Sequence, residues 1–147
     1  MTPSSQDLAK AADLARNGDV AGLSALLAQG LPADTADEKG NPLLMLASYH
    51  GHTEAVRILL KAGAKPDARN AKGQTPLGGV AFKGHVDIAR LLLDAGADPA
   101  ADQGGSTPAD LATTFGRREI LELLQSHSAQ AAEPTRWYSR LIGWLRR

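Results

Sequence analysis

The chain has 147 residues, with 16 basic and 16 acidic side chains, 43% hydrophobic residues and no cysteine. This balance belongs to folded rather than disordered chains, argues against a dedicated nucleic-acid-binding domain, and excludes disulfides and thiolate chemistry. Six aromatic residues stand against 47 Ala and Leu, which excludes an aromatic-centred core and points to helices packed closely through small side chains.

The first residues, MTPSSQDLAK, contain neither a basic region nor an apolar run, and no apolar stretch of about 20 residues follows anywhere. The expectation is a soluble, unexported, cytoplasmic protein with a short tail over residues 1–4. From residue 5 a fixed period governs the chain. Gly18, Gly51 and Gly84 recur at a constant step, as do Gly30, Gly63 and Gly96, and Gly40 and Gly73 repeat that step. Four units follow, at about 5–36, 37–69, 70–101 and 102–128, each predicted as helix, short turn, helix and return loop.

In chain order, the first unit lacks the threonine–proline start of the later ones and has Asp7 to Ala11 in its place. Thr75-Pro76 and Thr107-Pro108 then open the third and fourth units, placing a capping side chain ahead of a proline whose missing N–H costs nothing at a helix start, and Asn41-Pro42 offers the same chemistry in the second unit, shifted by one position. The second helices carry Leu23/Leu26/Leu27, Val56/Leu59/Leu60 and Ala89/Leu92/Leu93 as apolar stripes that neighbouring units must cover. Gly30, Gly63 and Gly96 fall where a left-handed cap is needed, and Pro32, Pro66 and Pro99 stop the helices. In the last unit, Gln125 replaces a stripe leucine and Ser128 the cap glycine, as suits a terminal unit with a polar outer face.

The segment KGQTPLGGVAFKGHVDIARLLLDAGADPAAD resembles an ankyrin repeat, in which TPL, GH, LLL and GAD occur together. The resemblance covers about residues 5 to 128. It implies an all-α solenoid of four helix-turn-helix units with short hairpin loops, binding a protein through its concave helices and hairpin tips. It also implies a structural hydrogen-bonding role for His52 and His85 in the GH turns. Gly78 stands where the family pattern has histidine. The run LLMLASYHGHTEAVRILL is further similar to small bacterial ankyrin proteins associated with catalase and oxidative stress, so catalase is one candidate partner.

No P-loop, nucleophile elbow, HExxH helix or dinucleotide fingerprint is present, so no enzyme is expected, and neither a metal nor a cofactor. Asp94, Asp98 and Asp102 lack the ligand alternation of a calcium loop. Candidate contact residues are those at the ends of the first helices, namely Arg16, Asn17, Tyr49, His50, Phe82, Lys83, Thr114 and Phe115. Hairpin tips add Glu38, Lys39, Asn41, Lys72, Gln74, Gln103 and Ser106, with Asp37, Arg69 and Asn70 beside them. The aromatic members either cover helix ends or form anchors with a polar rim; both readings stay open.

After Ser128 a linker leads into TRWYSRLIGWLRR, so that residues 133–147 carry four arginines against one glutamate, whereas residues 1–132 carry 12 basic and 15 acidic groups. Trp137, Leu141, Trp144 and Leu145 lie at helical spacing with Tyr138 and Arg140 beside them, which predicts a C-terminal amphipathic helix over part of 129–147. Three roles are open: covering the last unit, docking on the concave row included; engaging a partner or an anionic membrane surface; or ordering only on binding. The chain as a whole is expected to be a monomeric scaffold.

Overall fold

The computed structural model describes residues 2–132. Eight helices follow one another: α1 Ser5–Asn17, α2 Val20–Ala28, α3 Leu43–Tyr49, α4 Thr53–Lys61, α5 Pro76–Lys83, α6 Val86–Asp94, α7 Pro108–Thr114 and α8 Arg118–Ala132. The odd-numbered helices pack in sequence, α1 on α3 on α5 on α7, and the even-numbered ones form a parallel row, α2 on α4 on α6 on α8. Each unit contributes one helix to each row, and its two helices pack on one another. A helix pair alone has one apolar flank too many, and stacking covers it.

The helix starts follow from the capping residues. Ser4 and Asp7 form a reciprocal capping box at α1, with Asp7 N–H donating to Ser4 Oγ at 3.2 Å and Ser4 N–H donating to the Asp7 carboxylate at 3.0 Å. The unit without a threonine–proline start is therefore capped by a side chain all the same. Thr107 and Asp110 repeat the box at α7, and Thr75 Oγ1 accepts from Gly78 N–H at α5. At α3 the cap position is Pro42, and no side chain caps it, because Asn41-Pro42 stands one position ahead of the later threonine–proline pairs; the Asn41 side chain bonds Asp37 instead.

Along the even row, Leu23, Val56, Leu59, Ala89, Leu92 and Leu93 are buried, as the stripes predict, with Ile88 buried beside them, whereas the stripe residue Leu60 is only partly buried. Leu26 and Leu27 are only partly buried, because α2 ends the row and has α4 on one side alone. Leu43, Leu44, Leu77, Val80 and Ala112 complete the core from the odd row, and Ile120 and Leu124 close it at α8. Each fully buried leucine contributes about 1.5–3 kcal/mol of transfer free energy. Ala11, Ala12, Ala15, Ala47 and Ala81 are buried between first helices, so the small residues that dominate the composition are what permit the close spacing of that row.

The return loops differ in one informative way. In the first two hairpins Asp37 and Asn70 bond across to Asn41 and Gln74, and each side chain accepts amides of its own turn. The third is shorter by one residue: Gln103 and Ser106 exchange backbone hydrogen bonds across Gly104 and Gly105. Both glycines have positive φ, 62° and 89°, which a two-residue turn of this hand requires. That shortening accounts for the one-residue offset of the fourth unit. Helix α8 runs past Ser128 to Ala132.

Candidate partner-binding face

Tyr49, Phe82 and Phe115 sit at the C-terminal ends of α3, α5 and α7, one unit apart, and are the large apolar side chains left exposed among the described residues, at 40%, 37% and 44%. They touch one another along the row. Tyr49 and Phe82 lie nearly parallel with centroids 6.5 Å apart, and Phe115 meets Phe82 edge-on at 4.6 Å. Such pairs contribute about 0.5–1.5 kcal/mol beyond the area they bury, so the rings are held in place without being covered. An exposed apolar ladder results.

Polar groups frame the ladder. Lys83 Nζ lies 5.0 Å from the centroid of the Tyr49 ring, and His50 meets that ring edge-on at 5.5 Å. Burial holds the His50 imidazole below its ordinary 6.5, and the neighbouring His52, Arg16, Lys83 and His85 push it in the same direction. At the same repeat position in the first unit, Arg16 donates to Asp13 at 3.0 Å and to Asp37 at 2.7 Å, so its charge is already paired. Asn17 and Thr114 are exposed at the ends of their helices.

The hairpin residues divide into two groups. Glu38, Lys39 and Lys72 are exposed at the tips, and Ser106 is half-buried in the glycine turn. The others hold the scaffold: Asn41 Nδ2 donates to Asp37, Asn70 Nδ2 donates to both Asn41 and Gln74, and Arg69 donates to the carbonyls of Gly73 and Asp102. Gln103 reaches across to accept from Thr75 N–H at 2.9 Å. Asp37 has only 6% of its side chain exposed; burial raises its pKa, but the amides of Asn41 and Lys39, the Asn41 side chain and Arg16 outweigh that and hold it below 3.8.

Between the ladder and the hairpins lies a notch of about 280 Å³, floored by Gly78 and Gly79 and walled by Met45, Tyr49, Phe82, Gln103, Leu111 and Phe115. Sequence reasoning missed it. Its signal was the glycine pair inside a helix, where Gly costs about 1 kcal/mol relative to Ala and calls for a reason. Trp137, Tyr138, Arg140, Leu141, Trp144 and Leu145 lie outside the described residues. Among the described residues no group of three or more His, Asp or Glu could hold a metal ion, and no helix is long and apolar enough to cross a membrane.

The family model described as ankyrin repeats (3 copies) matches residues 10–103 and 44–135, most of the chain. The chain belongs to the ankyrin-repeat family. A protein of Pseudomonas aeruginosa described as an ankyrin repeat protein is 56% identical over 46 residues. That match covers 31% of this chain and 27% of the relative, so the chain spans well under two thirds of it. Ankyrin repeats are protein–protein interaction modules in general, and the odd row, α1, α3, α5 and α7, is made of the first helices of the four units.

Proposed function

We propose that this ankyrin-repeat chain is a non-enzymatic scaffold that binds a protein partner through its concave face, with the hairpin tips as secondary contacts. One observation carries this: three aromatic side chains, spaced by the repeat and fixed by mutual contact, remain exposed on one row of helices. Exposed aromatics clustered with a polar rim are the composition of interface anchors. Their mutual packing also helps, since side chains that already lean on one another lose less entropy on association. The exposed Glu38, Lys39 and Lys72 extend the same surface toward the loops and set orientation and encounter rate more than affinity.

The test is co-purification from bacterial lysate with the full chain as bait, beside a variant with Tyr49→Ser, Phe82→Ser and Phe115→Ser. Catalase is scored by name among the recovered proteins. The expected result is a protein retained by the first bait and lost from the second, with both baits folded by circular dichroism. Identical recoveries would remove the concave face from the function.

A further inference from the structure

The notch at Gly79 has a shape and a sign that go beyond a general binding face. Its lining contains no carboxylate; it is made of Met45, Leu111, three aromatic rings, two glycines and neutral polar groups from Gln74, Thr75 and Gln103. The depth comes from missing side chains. At Gly79 an added Cβ would meet only the edge of Tyr49 at 3.6 Å, an ordinary contact, so space and not crowding explains what the glycine provides. At Gly78 the space is already filled by the Gln103 carboxamide, which forms one wall. About 280 Å³ is smaller than a typical small-molecule cavity of roughly 300–1,000 Å³, and its size suits a single large side chain entering from a partner.

The rim is cationic. Lys83 stands over the Tyr49 ring with no carboxylate within salt-bridge distance among the described residues, whereas Arg16, farther along the row, is neutralised by Asp13 and Asp37. Residues 133–147, with four arginines and one glutamate, carry the sign of Lys83, so charge disfavours this tail as the occupant and favours an acidic one.

We propose that the notch over Gly79 takes one bulky apolar side chain from a partner protein's segment, and that Lys83 pairs with a carboxylate flanking it, so that the face selects acidic–apolar segments. This rests on the scaffold function above and names the partner's chemistry. Apolar burial in the notch supplies the affinity, and Lys83 rejects segments of the wrong sign, since like charges brought together at an interface are costly.

The test uses fluorescence anisotropy on the full chain with two labelled peptides, a central phenylalanine flanked by glutamates in one and by lysines in the other. The acidic peptide is expected to bind about tenfold or more tightly than the basic one. Gly79→Leu should weaken the acidic peptide by about tenfold or more without lowering the melting temperature, since leucine is the better helix former. Lys83→Glu, an exposed change that keeps the test alive should Gly79→Leu fold poorly, should reverse the preference. Equal binding of the two peptides, no binding of either, or binding insensitive to both substitutions would overturn the proposal. Three other outcomes would do the same: dimerisation that Gly79→Leu abolishes, which would make a second copy the occupant; tighter peptide binding after joint Trp137→Ala and Trp144→Ala, which would make the tail the occupant; and a co-purified partner that Gly79→Leu retains. In that last case the scaffold function stands while the notch falls.

Discussion

Arg117 donates its Nε–H to the carbonyl of Phe82 at 3.1 Å, taking the place that histidine holds in the two preceding turns. His52 Nε2 bonds Arg16 O at 2.6 Å and His85 Nε2 bonds Tyr49 O at 3.2 Å, each reaching from one unit to the end of the first helix before it. Because a carbonyl only accepts, both imidazoles must carry hydrogen on Nε2. The rings lie over Gly18 and Gly51, where a Cβ would collide with them, and Arg117 covers Gly84 in the same way. Arg117→Ala should therefore lower stability by about 1 kcal/mol, the net worth of such a bond, and Arg117→His should recover most of it. Chemical denaturation of the three proteins measures both.

Gly78 and Gln103 form a second coupled pair. The Gln103 carboxamide occupies the space where a Cβ on Gly78 would stand and accepts from Thr75 N–H. Gly78→Ala should thus destabilise in spite of its better helix propensity, and Gln103→Ala should also destabilise by orphaning the Thr75 amide. Once Gln103 is gone the alanine fits, so the double variant should lose less than the sum of the singles, with a coupling of about 1 kcal/mol. A double-mutant cycle in urea reads this directly. Additive losses would contradict it.

Ser48 is buried within α3, and its Oγ has no hydrogen-bond partner among the described residues. An unmatched buried hydroxyl costs about 1–3 kcal/mol. Ser48→Ala keeps the volume and improves helix propensity, so it should raise stability by about 1 kcal/mol, measurable as a higher denaturation midpoint with an unchanged slope.

Acid should act through Asp37. Its folded pKa lies below 3.8 because the Asn41 and Lys39 amides, the Asn41 side chain and Arg16 outweigh the cost of its burial. A depressed carboxyl contributes stability that is present above its unfolded pKa and lost as the pH falls through the folded value. Stability of the native chain should therefore hold down to about pH 4 and decline below it. Asp37→Asn should lower stability at neutral pH, where the Arg16 ion pair is missing, and make the decline in acid shallower, the part due to Asp7 and Asp110 remaining. Urea titrations of both proteins across pH 2 to 7 would show the two curves converging; parallel curves would contradict this.

The regular part of the fold was legible because each signal recurred with the period. Stripe leucines and turn glycines recurred in three successive units and capping threonines in two, and Thr75, Leu59 and Gly63 act as their spacing implied. What was not legible depended on contacts between units that no local pattern encodes. The Ser4–Asp7 capping box was hidden because it lies ahead of the repeat, and the role of Arg117 because arginine replaces the expected residue type. The aromatic ladder could be placed on one face from its spacing, but whether the rings were covered could not. Several tip residues that looked free, Asn41 and Gln103 among them, are held by bonds to the adjoining hairpin or helix. The notch escaped notice since it is opened by an absent side chain, that of Gly79.

Phe82 lies at the centre of the ladder, in contact with both Tyr49 and Phe115, so calorimetric titration of the co-purified partner against Phe82→Ala is the most direct measurement of what this surface does. If the concave row is the binding face, the substitution weakens association by about tenfold or more while leaving the helical content intact. An unaltered dissociation constant would place the partner elsewhere on the protein and contradict the account.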